Sequence, residues 1–117
     1  MIEQELTCMD PVMSSKPQTV VCNSIDEVRA NIDRIDRQLV TLMVERETYV
    51  RQAARFKKTI EDVVVPARIE QIVVKVRALA TELGGTPMVA EKTFRNMIDA
   101  FIEVERVEHR ELHDGKS

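Results

Sequence analysis

From Ile25 onward the apolar positions recur at alternating steps of three and four: Ile25, Val28, Ile32, Ile35, Leu39, Leu42, then Arg46, then Tyr49, Ala53 and Phe56. Such spacing is the seam of a coiled-coil-like helix. Ser24 precedes the series and Glu27 follows three positions later, a capping-box signature in which hydroxyl and carboxylate satisfy orphan backbone N–H groups. The pattern predicts a helix from Ile25 to about Lys58, roughly 50 Å long at 1.5 Å per residue. The rest of the chain is too short to cover such a helix along its whole length in a compact monomer. A second copy is expected to cover what remains.

Thr59 to Val65 breaks the period and reads as a connector. Pro66 is placed for the first turn of a second helix, where its missing N–H costs nothing. Ile69, Ile72, Val76, Leu79 and Leu83 carry the apolar stripe to Gly84-Gly85, a helix stop of the left-handed kind. Thr86-Pro87 then opens a third helix, with Phe94, Met97, Ile98, Phe101, Glu105 and Glu108 on one stripe and a frayed end near Leu112. Residues 1–23, with Pro11, Pro17, Ser14 and Ser15 and no lasting period, are expected to form a flexible N-terminal arm, and residues 113–117 a short tail. The expected architecture is all-α, with three helices per chain over residues 24–112, the long first helix covered by a second copy.

Composition agrees with this reading and narrows the function. Three Gly, four Pro, no Trp and 3% aromatic residues do not suit a many-stranded sheet fold. Seventeen basic against twenty acidic side chains leave a net charge of -3, so nucleic acid and anionic membranes are not expected partners. Cys8 and Cys22 lie in the arm, fit no zinc spacing and read as free thiols. With neither a secretory signal nor a spanning segment in view, a cytoplasmic protein is expected.

The candidate chemistry lies in the residues that interrupt the apolar stripes. A guanidinium at a seam position, Arg46, needs an anionic partner. Lys57 follows eleven residues later, about 20° from register on an ideal helix, so the two cations share a face. Arg68 opens the second helix, and Glu105 puts an acid on the third helix's apolar stripe. Arg46, Lys57, Arg68 and Glu105 together describe a small cavity for a small organic anion. Each also has a plainer reading. Arg46 could lay its stem on the core and pair with Glu47 or a partner-chain acid. Lys57 could simply complement a helix C-terminus, and Glu105 could be a solvated neighbour of Arg106. His109 and His113, four apart near a fraying end and with no third ligand, are expected in solvent and not on a metal. No nucleophile elbow or phosphate loop is present, and no cofactor is expected.

Ile32-Asp33-Arg34-Ile35-Asp36-Arg37-Gln38-Leu39-Val40, Glu45-Arg46, Ala53-Ala54-Arg55-Phe56-Lys57 and Pro66-Ala67-Arg68 resemble the all-helical chorismate mutase family over roughly Ser24 to Glu108. The resemblance implies intertwined homodimers in which each pocket borrows an arginine from the partner, here Arg29, beside its own Arg46, Lys57 and Arg68. Reach agrees independently, since Arg29 lies 28 residues from Lys57, about 42 Å along one helix. By the same resemblance the arginines hold the two carboxylates of chorismate, an intermediate on the route to aromatic amino acids. Lys57 and a third-helix polar residue, here Glu105 where bacterial mutases usually have Gln, bind the ether oxygen.

The reaction implied is a concerted [3,3] shift to prephenate, needing no nucleophile, metal or cofactor. The protein holds a folded conformer and places positive charge where the breaking C–O bond gathers negative charge. Glu105 can serve there only when protonated, because a carboxylate would repel the ether oxygen. Val65, Ile69 and Phe101 stand where mutases usually carry Asp, Glu and Ser. Ile69, with Tyr49-Val50 and the Ala53 to Lys57 run, is similar to isochorismate-pyruvate lyases of the same fold, which release salicylate and pyruvate. That activity is the alternative. A non-catalytic helical dimerisation module is a third reading, although such a module has no need of Arg46 and Lys57 on the seam.

Overall fold

A computed structural model describes residues 16–114. Among them are three α-helices and one short 3₁₀ turn: α1 (Ile25–Ala54), the turn Ile60–Val63, α2 (Pro66–Glu82) and α3 (Pro87–Asp114). The fold is all-α, as the apolar spacing predicted. No helix among the described residues is long and apolar enough to cross a membrane.

Local chemistry sets most of the boundaries. Ser24 Oγ accepts the Glu27 amide at 3.1 Å, and the Glu27 carboxylate reaches back to the Asn23 N–H at 2.8 Å. The Ser24 half of the capping box is present, while the acid reaches one residue further back than the cap itself. At the other end α2 closes in a Schellman motif: Gly84 adopts φ +86°, its N–H donates to the Thr81 carbonyl, and the Gly85 N–H donates to the Ala80 carbonyl at 2.7 Å. The Thr86 carbonyl then accepts from Val89 and Ala90 in the first turn of α3.

Helix α1 ends at Ala54, four residues before the expected Lys58. The amides of Arg55, Phe56 and Lys57 bond three residues back, to Gln52, Ala53 and Ala54, which tightens the last turn and ends the helix without Gly or Pro. At 30 residues α1 is about 45 Å long. In the connector, Thr59 and Asp62 form a second capping box that starts the 3₁₀ turn and delivers Val63 to the interior. Helix α3 runs to Asp114, two residues past the expected end.

The chain divides into two compact units, one built on Pro66–Asn96, the other on Val20–Val65 with the chain from Met97 onward. In the first unit, α2 and the start of α3 run antiparallel over the buried Val73, cross-linked by Arg77 with Glu91 and by Arg95 with Glu70. In the second, α3 lies parallel to the end of α1, as the pairing order Arg46 with Phe101 and Arg51 with Glu108 requires. Its core is small: Ala54, Val63, Ile98 and Phe101 are buried, with Glu105 and His109 on the same α3 stripe.

The face of α1 that packs within its unit carries Arg46, Val50 and Ala54. It differs from the coiled-coil seam. Ile25, Val28, Ile32, Ile35, Leu39 and Leu42 stay exposed in the single chain, Leu42 at 60%, and Phe56 is 76% exposed. A contiguous apolar stripe of this extent is unusual for an isolated soluble chain.

Candidate active site

Three of the five sequence-derived candidates converge in the second unit. Lys57 follows the final turn of α1, and its ammonium lies 2.8 Å from Glu105 Oε2. Glu105 is 8% exposed, one turn beyond the buried Phe101, so an acid sits in an apolar stripe with a cation at its carboxylate. The Arg46 guanidinium carbon lies 5.1 Å from the Phe101 ring centroid, a cation–π distance. Arg46 and Lys57 therefore meet successive turns of one α3 face, although Lys57 stands on the turn after the helix and not on the ideal helical register expected for it.

The other two candidates are exposed. Arg29 is exposed in the second turn of α1, about 38 Å of helix from Ala54. Arg68 is exposed on the first turn of α2, in the other unit, with Nη1 3.4 Å from Gln71 Oε1.

One plainer reading is excluded and one expectation is corrected. Glu105 is not a solvated neighbour of Arg106, which pairs with Glu103 at 3.0 Å; being on the buried stripe, it faces Lys57. Nor does His109 lie in solvent. It is 5% exposed, and its Nε2 is 3.0 Å from the Lys57 carbonyl oxygen. His113 is exposed but stacks on the His109 ring at 4.0 Å, with Nδ1 2.9 Å from the His109 carbonyl. The signal that could have found His109 was its place four residues beyond Glu105 on the stripe of Ile98 and Phe101.

Around this centre Arg51 bridges Glu47 at 2.7 Å and Glu108 at 3.1 Å, tying α1 to α3. Those hydrogen bonds raise the Arg51 pKa further above its usual range. Among the described residues no group of three or more His, Cys, Asp or Glu is placed to hold a metal ion. Cys22 is a free thiol, and Cys8 lies outside the described residues.

A half-buried lysine thus pairs with a buried acid, and an arginine lies one turn away over an aromatic ring. The family model for chorismate mutase type II matches residues 28–106, about two thirds of the chain and a span that includes all five candidates. The chain belongs to the chorismate mutase type II family. Membership supports an isomerase of that kind, with a small dicarboxylate as substrate. No curated protein matched the chain.

Proposed function

We propose that the protein rearranges chorismate to prephenate at a site shared between two copies of the chain. The observation that carries this reading is the 2.8 Å pairing of Lys57 with Glu105, the cation and the third-helix polar residue that the family resemblance assigns to the ether oxygen. Arg46 and Arg68 bind the substrate carboxylates from one chain, and Arg29 comes from the other. The distance of Arg29 from Lys57 along α1 supports the shared arrangement, and so does the exposed stripe. Burying six large aliphatic side chains, each contributing roughly 1.5 to 3 kcal/mol, stabilises a dimer by on the order of 10 kcal/mol before ordering costs.

In this mechanism the arginines hold chorismate folded, with its enolpyruvyl and ring termini in contact. As the ether C–O bond breaks and the new C–C bond forms, negative charge builds on the ether oxygen. The Lys57 ammonium stabilises that charge, and a protonated Glu105 donates a hydrogen bond to the same atom. The substrate's ether oxygen takes the place of the Glu105 carboxyl at the Lys57 ammonium, so Lys57 leaves that pairing as substrate binds. Electrostatic complementarity to the transition state supplies the catalysis.

Incubating the purified protein separately with chorismate and with isochorismate tests the assignment. Prephenate from chorismate is expected. Salicylate with pyruvate from isochorismate alone would make it a lyase, and no turnover of either by folded protein would leave a binding module.

A further inference from the structure

Lys57 differs from Arg46 in how its backbone is held. Arg46 lies inside α1, where helical hydrogen bonds fix its Cα, whereas Lys57 lies three residues beyond the last helical residue, Ala54. Its amide makes a 3.3 Å bond to the Ala54 carbonyl, and the helix offers its carbonyl nothing. That carbonyl is instead met by His109 Nε2 at 3.0 Å. A carbonyl oxygen can only accept, so Nε2 carries the proton and donates. The ring itself is backed by His113, stacked at 4.0 Å and anchored to the His109 carbonyl.

Glu105 and His109 are four residues apart on α3, about 6 Å along its axis, and both reach Lys57. One grips the ammonium, the other the main chain. A lysine side chain has four rotatable bonds, so the tip is aimed only as well as its Cα is placed. Catalysis by placed charge is sensitive to such aim, with a misplacement of about 1 Å able to cost about 100-fold.

We infer that His109 is a positioning residue for Lys57, its Nε2–H holding the Lys57 carbonyl so that the ammonium is presented at one point when Glu105 gives it up to substrate. The inference rests on the reading of Lys57 as the cation at the reacting oxygen. During turnover the ammonium leaves Glu105, and the His109 bond is then the remaining polar tie of Lys57 to α3 among those the structure shows. It is therefore needed most when the Glu105 contact is lost.

The test is chorismate kinetics on the dimeric full chain for wild type, His109→Leu, His109→Gln and Lys57→Ala, with thermal midpoints for each. Leu fills the space without a donor, and Gln places an amide N–H near the position of Nε2. We expect His109→Leu to lower kcat about 10-fold with KM changed less than about threefold, and His109→Gln to restore most of kcat, even where the two midpoints are equal. Long-range ¹H–¹⁵N spectra of the wild-type protein should show the proton on His109 Nε2, a readout that survives failure of any variant to fold. A bare Nε2, an unchanged kcat in His109→Leu, or equal losses in the Leu and Gln variants would overturn the inference. Unchanged turnover in Lys57→Ala would overturn the underlying reading of the site, and the inference with it. A loss in Lys57→Ala beside a wild-type His109→Leu would overturn the inference alone.

Discussion

Lys57 and Glu105, 48 residues apart in sequence, meet at 2.8 Å, the lysine side chain 24% and the glutamate 10% exposed. Each accounts for the other's burial, since an acid on an apolar stripe without a cation carries a desolvation cost of several kcal/mol. In the proposed mechanism the charge that Lys57 meets develops in the transition state, so replacing Lys57 by Ala should lower kcat by about 10² to 10³-fold with a smaller change in KM. Arg46→Ala should affect both constants. Steady-state chorismate kinetics distinguish the two patterns, and a Lys57→Ala variant with full kcat would contradict the role.

Glu105→Gln separates donation from charge. A carboxylate at this position pairs with Lys57 but cannot donate to the ether oxygen and repels it, whereas an amide donates. The Gln variant should therefore keep or exceed the wild-type kcat, while Glu105→Ala, which removes the donor altogether, should lose turnover in steady-state chorismate kinetics. Equal kcat values in the Gln and Ala variants would mean that Glu105 does not face the reacting oxygen.

What could be read from the sequence follows from the range of the forces involved. The starts of α1, α2 and α3 and the stop of α2 depend on Ser24, Pro66, Thr86-Pro87 and Gly84, each acting on backbone a few residues away, and all were legible. Arg46, Lys57 and Glu105 were legible because charge on an apolar stripe is conspicuous. The end of α1 was not, since Phe56 prolongs the apolar period while the chain leaves the helix through three-residue bonds after Ala54. The burial of His109 could have been read from its place on the Ile98, Phe101 and Glu105 stripe, but its partner, a main-chain carbonyl 52 residues away, is recorded by no side-chain pattern. The spacing of α1 also combines two faces, the seam and the Arg46, Val50, Ala54 face that meets α3.

The Arg95 network should make stability depend on pH in the acid range. Arg95 meets both oxygens of Glu70 at 2.9 Å and Glu91 at 2.8 Å, and these bonds hold both carboxyls below their usual 4.5. The unfolded chain then binds protons more readily, so the stabilisation is fully present above about pH 4.5 and is lost as pH falls through the folded-state values. Arg95→Gln should lower the thermal midpoint at neutral pH, by a small amount given the exposure of these groups, and the difference should shrink toward pH 3. Melting curves of both proteins across that range check it, and a difference independent of pH would contradict the assignment.

Mixing inactive variants tests the shared site most directly. In the proposed dimer, Arg29→Ala and Lys57→Ala each remove one component from every site of their own homodimers. In a heterodimer one site loses both and the other keeps the Lys57 of one chain and the Arg29 of its partner. After the two proteins are unfolded and refolded together, half the dimers should be mixed, and prephenate formation should return to roughly a quarter of the wild-type rate. Restoration at that level is the result predicted. Activity no greater than the sum of the separate variants, with heterodimers demonstrated in the sample, would contradict a chorismate site built from two chains.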